Sequence, residues 1–328
     1  MGSFVRLTRR GFAALALLST LSGPLLAAGP NWPTRAVTIV VPFTAGGSTD
    51  VIARLLGQKL SEVWGQSVVV ENRVGAGGNI GTALVAKAPA DGHTLLMASG
   101  SIFTVNPHLY KRLPFNPKEF APITKVASGP MLVVVPASSP AKNLQELIAT
   151  AKAAPRSVNF GSAGIGSQVH MAGENFANAA GIDLVHVPYK GEAAAYTDLM
   201  AGQVQVVVGN IAAAGPLVNG GRLRALAVTG KERSRMMPDV PTVSESGIPG
   251  FENSGWFGLM APAGTPKEVI AKIQADTAKV LASPDMRTKL GEQGMAPIAD
   301  KPDEFARAID DESQKWSSVV RARKLSAE

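Results

Sequence analysis

The residues of this chain with the means to hold a ligand are glycines and serines rather than acids, bases or nucleophiles. They gather in five short loops: residues 44–50 ("TAGGSTD"), 98–101 ("ASGS"), 161–167 ("GSAGIGS"), 188–191 ("PYKG") and 209–212 ("GNIA"). A glycine lets the backbone approach a ligand closely, and the first turn of a helix offers N–H groups without intrahelical partners at the positive end of its dipole. Together these hold an anion without an arginine. The five loops contain a single cation, Lys190. Taken singly, each loop is accounted for by a tight βα turn. Five of them at the carboxyl ends of strands, where open α/β sheets place ligands, point to a binding pocket without catalytic equipment.

Motifs for catalysis are missing. No serine sits in G-x-S-x-G, and neither H-E-x-x-H nor G-x-x-x-x-G-K-[ST] occurs. Gly75, Gly77, Gly78 and Gly81 in "VGAGGNIGT" give G-x-G-x-x-x-G, without the opening strand a dinucleotide site requires. His93, His108, His170 and His186 are far apart in sequence and form no metal-binding cluster, so each reads as a structural imidazole and no metal is expected. His170, about one turn into the helix after "GSAGIGS", reads equally as a ligand contact or as support behind one. Asp50 and Arg54, at i and i+4, form an ion pair worth a few tenths of a kcal/mol. Because Asp50 competes with an anionic ligand for the same N–H groups, it reads as a loop-structuring residue.

These loops need strands and helices to hold them. Residues 37–43 are short, β-branched and bounded by Pro33 and the glycine pair, which predicts a buried strand. A helix follows from Ser48 or Thr49, with Val51, Ile52, Leu55, Leu56, Leu60 and Val63 at helical spacing up to Gly65. A strand at 68–71, a helix at 79–88 and a strand at 93–98 continue the alternation, which argues for a parallel α/β sheet. The same grammar resumes from residue 157 and repeats twice. The segments 120–136 ("FAPITKVASGPMLVVVP") and 251–266 ("FENSGWFGLMAPAGTP") read as two crossovers, and helices over 266–281, 284–293 and 302–323 close the chain. Two α/β lobes facing each other across a cleft are expected: a first lobe over 29–127, a second over 128–252, and a return to the first over 253–328.

Residues 1–28 stand apart. Arg6, Arg9 and Arg10 precede a broken apolar run that ends near Ala28, the layout of a cleaved export signal, and "TRRGF" is similar to a twin-arginine motif, leaving Tat and Sec export both open. The absence of cysteine excludes disulfides, thiolate metal sites and a lipid-modified cysteine, so a soluble, unanchored exported product is expected. The formal charge of +7 falls to +4 once the three leader arginines are discounted. With scattered cations and only 5% aromatic residues, nothing is organised for nucleic acid.

In order along the chain, "VPFTAGGSTDVIAR", "VVVENRVGAGGNIGT", "APADGHTLLMAS", "FGSAGIGSQVHM", "VPYKG" and "WFGLMAPAGTP" resemble the Bug-type substrate-binding proteins of tripartite tricarboxylate transporters. The resemblance implies a two-lobed periplasmic-binding-protein fold of type II, α/β in both lobes. Each lobe is a mainly parallel sheet flanked by helices, and two crossover strands join the lobes. It implies a monomeric periplasmic receptor without catalytic group or cofactor. Such a receptor grips a small carboxylate through backbone amides and ordered water and passes it to membrane permease subunits. Carried over by motif, the first lobe supplies Phe43, Ala45, Gly46, Gly47, Thr49, Ser99 and Gly100. The second supplies Ser162, Ala163, Gly166, Ser167, His170, Tyr189, Lys190 and Asn210. Asn210 departs from the acidic residue often found in its loop, which favours a plain dicarboxylate, a hydroxyacid or an aromatic acid over an amine-bearing ligand. Gly47→Val is expected to abolish binding and Lys190→Ala to weaken it less. Two alternatives stay open: a receptor that presents its ligand to the outer domain of a sensor kinase, and, more remotely, an exported hydrolase.

Overall fold

The computed structural model describes residues 1–2 and 32–327; the expected export signal and its cleavage site lie outside them, except for the first two residues. The chain from Trp32 onward forms one compact unit. Within it the elements run β1 (Val37–Val41), α1 (Ser48–Trp64), β2 (Val68–Asn72), α2 (Asn79–Ala86), β3 (Thr94–Ser99) and the single turns α3 (Ser101–Thr104) and α4 (Asn106–Leu109). The long strand β4 (Phe120–Pro136) leads to α5 (Leu144–Ala153), β5 (Asn159–Ser162), α6 (Gln168–Ala180), β6 (Val185–Pro188), α7 (Glu192–Met200), β7 (Val206–Asn210), α8 (Ile211–Asn219) and β8 (Leu223–Val228). The chain returns through β9 (Ser254–Pro262) and ends in α9 (Lys267–Ala282), α10 (Pro284–Glu292), β10 (Ala296–Pro297) and α11 (Pro302–Ala322).

Each lobe has a parallel part built by βα units. In the first, β1 pairs in parallel with β2 and β3; in the second, β5 pairs in parallel with β6 and β7. Val37, Ile39, Val40 and Val41 are fully buried, as an apolar strand covered on both faces must be. α1 lays Ile52, Ala53, Leu56, Leu60 and Trp64 on the sheet. Val63, expected on that face, is exposed, because the buried stripe passes through Trp64 instead. Gly65, in the left-handed region at φ 62°, ends the helix and donates its N–H to the Ser61 carbonyl.

β4 and β9 join the lobes. They run antiparallel to each other from Phe120↔Pro262 to Pro130↔Ser254, after which β4 pairs with β7 from Met131↔Asn210. The change of partner falls at Pro130, which has no N–H to donate to a ladder. The strand order β2-β1-β3-β9-β4-β7-β5-β6 is therefore continuous through a shared β4, with β8 and β10 also on β4. The parallel strands of both lobes end in the glycine loops, so β1, β3, β5 and β7 all deliver their carboxyl ends to one cleft. α11 packs on the first lobe, where Phe305 meets Trp256 with ring centroids 5.2 Å apart. Arg323, just beyond it, donates from Nη1 to Asn175 Oδ1 on α6 of the second lobe at 3.2 Å.

Candidate functional site

The β1–α1 loop is tied down by carboxylates. Gly46 N donates to Asp50 Oδ2 at 3.0 Å, and Gly47 N to the Thr44 carbonyl at 3.3 Å. Asp50 is buried and also accepts from Arg54 Nε at 2.9 Å and from Asn72 Nδ2 at 2.9 Å. Burial pushes its carboxyl pKa upward, but the bonds from Arg54, Gly46 and Asn72 outweigh it and hold the group below the usual carboxylate value. The third amide, Ser48 N, donates across the cleft to Glu192 Oε2 at 2.9 Å. Glu192 opens α7 in the second lobe, is only 4% exposed, and accepts at Oε1 from both Asn210 N (2.9 Å) and Asn210 Nδ2 (2.7 Å). One buried carboxylate thus ties the start of α1 to the start of α8.

The β5–α6 loop is held by neutral groups instead. Ser167 caps α6, accepting from His170 N at 3.1 Å. Gly164 N donates to Ser162 Oγ at 3.1 Å, and Gly166 N to His170 Nδ1 at 3.2 Å. His170 and His186 stack with centroids 4.0 Å apart, Phe160 lies against both rings, and His186 Nε2 is 2.6 Å from Ser162 Oγ. Burial drives the His170 pKa down to about 3, helped by its neighbour His186, and that of His186 down to about 4. Both are neutral imidazoles near pH 7.

Between the two loops lies a narrow cavity of about 10 Å³ lined by Phe43, Gly47, Ser48, Thr49, Ser99, Ala163, Ser167, Gln168, Val169, Glu192 and Asn210. It has room for about one water molecule. The hydroxyls of Ser48 and Ser99 are buried in its wall with no hydrogen-bond partner among the described residues. Buried polar groups of that kind ordinarily find a partner, so these two are poised for one. Gln168 Nε2 donates to Asn210 Oδ1 at 3.2 Å, completing the second-lobe wall.

Of the residues expected here, Phe43, Gly47, Thr49, Ser99, Ala163, Ser167 and Asn210 come together in this wall. The others stand elsewhere. Ala45 and Gly46 are exposed and do not line it. Gly100 lies behind the wall, where a Cβ would come within 2.6 Å of the Trp256 ring. Ser162, Gly166 and His170 engage their polar atoms behind the wall, within their own loop, with His186 and with Glu174. Tyr189 and Lys190 line a separate open depression of about 550 Å³ with Thr44, Gly77, Tyr110 and Ile165. There Tyr189 Oη donates to Asp198 Oδ2 at 2.8 Å; burial and that carboxylate push its pKa up to about 12.

Sequence reasoning missed Glu192, Gln168 and Ser48. An acid at the first helical position reads as a complement to the helix dipole, and nothing local marks the approach of Ser48, 144 residues away. The loop glycines also have a second role. A Cβ on Gly77 would come within 2.1 Å of the Ile165 carbonyl oxygen, and one on Gly191 within 2.2 Å of Thr44 Oγ1 and 2.7 Å of Thr44 N. These glycines let the two lobes touch each other. Tyr110 adds a bond across the same seam, its Oη donating to the Ile165 carbonyl at 2.7 Å.

Among the described residues no helix is long and apolar enough to cross a membrane. Residues 52–325 match the family model described as the tripartite tricarboxylate transporter family receptor. The protein BugT of Bordetella pertussis (strain Tohama I) is 39% identical over 293 residues, spanning 89% of this chain and 90% of BugT. Two solved structures are similar along nearly their whole length. One is R. palustris Rpa4515 with adipate (38% identity, TM-score 0.87, 90% of this chain and 99% of that one). The other is MatC from Rhodopseudomonas palustris with bound malate (33% identity, TM-score 0.83, 88% and 100%). The architecture is accordingly that of the two-lobed periplasmic binding proteins. With the family model covering most of the chain and these relatives matched end to end, the chain belongs to the tripartite tricarboxylate transporter receptor family, a family of solute-binding receptors.

Proposed function

We propose that this chain is an exported periplasmic receptor that captures a small carboxylate between its lobes by binding alone, as a monomer, and delivers it to the permease subunits of a tripartite transporter. The observation that carries this reading is the meeting of two helix starts, α1 and α6, across one cavity that also holds the unpartnered Ser48 and Ser99 hydroxyls. First-turn amides and hydroxyls suit a carboxylate, and adipate and malate in the related structures are both of that class. The contacts we assign are Phe43, Gly47, Thr49, Ser99, Ala163, Ser167 and Asn210, joined by Ser48, Gln168 and Glu192, with ordered water completing the grip. The lobes divide near residues 127/128 and 252/253. A ligand larger than one water needs the lobes to part, and β4 and β9 are the segments about which they turn.

A thermal-shift panel of dicarboxylates, hydroxyacids and aromatic acids tests the reading. Saturation at about a hundred times Kd stabilises the fold by about 2.7 kcal/mol, a rise of several degrees at this size. Silence across the panel at millimolar concentration sinks it. Loss of carboxylate uptake on deleting the gene, restored by the chain with its first 28 residues but not without them, tests both delivery and export.

A further inference from the structure

The cleft is electrically lopsided, and one residue makes it so. Glu192 sits in its wall almost wholly buried and accepts three hydrogen bonds, from Ser48 N, Asn210 N and Asn210 Nδ2. Among the ion pairs of the described residues, none joins a lysine or arginine to it. A carboxylate has about four lone-pair positions, so one, on Oε2 beside Ser48, is left to accept. Asp50, at the start of α1, holds Gly46 N but is paired with Arg54, so the imbalance rests on Glu192. The facing loop is neutral, being held by Ser162, Ser167 and the uncharged His170.

Resting on the carboxylate-receptor reading, we propose that Glu192 is the specificity-determining residue of the cleft. It selects a carboxylate that also carries a hydrogen-bond donor, above all a protonated amine, and rejects a bare dianion of the same length. The ligand's carboxylate lies at the α6 start, where Ser167, Gln168 and Val169 line the wall, and its donor faces Glu192 Oε2. Two like charges in a desolvated site repel, whereas an ammonium or hydroxyl supplies the bond that the spare acceptor lacks.

Calorimetry with two matched series tests this: succinate, malate and aspartate, then glutarate and glutamate, on the full chain and on Glu192→Gln and Glu192→Asp. The expected wild-type order is aspartate over malate over succinate and glutamate over glutarate, with about tenfold or more between the ends of a series. Glu192→Gln lowers the amine-to-dianion ratio by about tenfold or more and Glu192→Asp keeps its direction. The ratio cancels any fraction of inactive protein, so a merely structural role of Glu192 does not move it. Equal wild-type binding of succinate and aspartate, or a ratio unchanged in Glu192→Gln, overturns the assignment while leaving the receptor reading intact. If no member of either series binds at millimolar concentration while adipate or another plain dicarboxylate does, the assignment fails; if no carboxylate binds at all, the receptor reading fails with it.

Discussion

The two loops that face each other across the cleft share a grammar and differ in what holds them. Both follow a buried strand, both are rich in glycine and serine, and both end in a helix start. In the first, the amides of Gly46 and Ser48 are engaged by the carboxylates of Asp50 and Glu192. In the second, those of Gly164, Gly166 and His170 are engaged by a hydroxyl, an imidazole and a hydroxyl. A glycine-rich helix start is therefore not an anion site by composition alone. Whether the protein has already placed its own anion there decides what a ligand meets, and here the first loop carries that charge while the second is left neutral.

The largest effect expected to break this symmetry of form concerns closure. Gly191→Ala places a methyl group against the backbone of Thr44 in the opposite lobe, so the lobes cannot meet. Binding of whichever carboxylate the panel identifies should fall by about a hundredfold or more, with the melting point within about 3 °C of wild type because open lobes relieve the clash. Affinity retained within about threefold would show that closure does not depend on this seam.

Next is Ser167→Ala in the neutral loop. It removes the α6 cap and one wall hydroxyl, costing about 1 kcal/mol of stability, or about 2–4 °C, and weakening binding as well. An unchanged melting point by scanning calorimetry would contradict the capping role.

The loops also separate by pH. With folded values of about 3 and about 4 against an ordinary 6.5, His170 and His186 are neutral in the fold, and between those limits the unfolded chain binds more protons. Their contribution is complete above pH 6.5 and is lost as the pH falls toward 4 and below. Asp50, with its pKa lowered, contributes above the usual carboxylate value of 3.8 and loses its effect only below it. Melting curves from pH 7 to 4.5 should therefore fall on acidification, and His186→Phe, which keeps a ring in the stack, should reduce the slope. A slope identical to wild type removes the imidazoles from the account.

The smallest effects belong to Gly47 and Lys190. Gly47 has φ −77°, open to any residue, and a Cβ there would meet nothing nearer than the Thr44 carbonyl oxygen at 3.3 Å. Gly47→Ala should therefore cost little binding, and the residue that cannot carry a side chain is Gly191 rather than Gly47. Lys190→Ala, on an exposed residue of the outer depression, should stay within about 0.5 kcal/mol of wild-type stability and leave ligand calorimetry unchanged. A large loss of affinity at Lys190 would move the anion site out of the cavity and into that depression.

Much of this architecture was legible in the chain because its signals are local. The apolar run before "TAGGSTD", the helical spacing of Ile52, Leu56 and Leu60, and the proline-bounded crossovers each arise from the covalent neighbourhood of a few residues, and the strands and helices formed where those signals lie. The motif resemblance extended that reading to a family, and the structure brought seven of the expected residues into one wall. Less local properties were out of reach. Gly100 was expected at the ligand but presses on Trp256, and Tyr189 was expected beside it but turns to Asp198; in each case the partner comes from another element.

The sequence by itself determined where backbone is unprotected: which strands break, which helices start, and where glycine permits close approach. Only the tertiary structure decided what fills those openings. A hydrogen bond of 2.9 Å from Ser48 N to Glu192 Oε2 depends on two helix starts from different lobes arriving within reach of one side chain, a closeness set by the packing of β4, β7 and β9 and by no spacing along the chain.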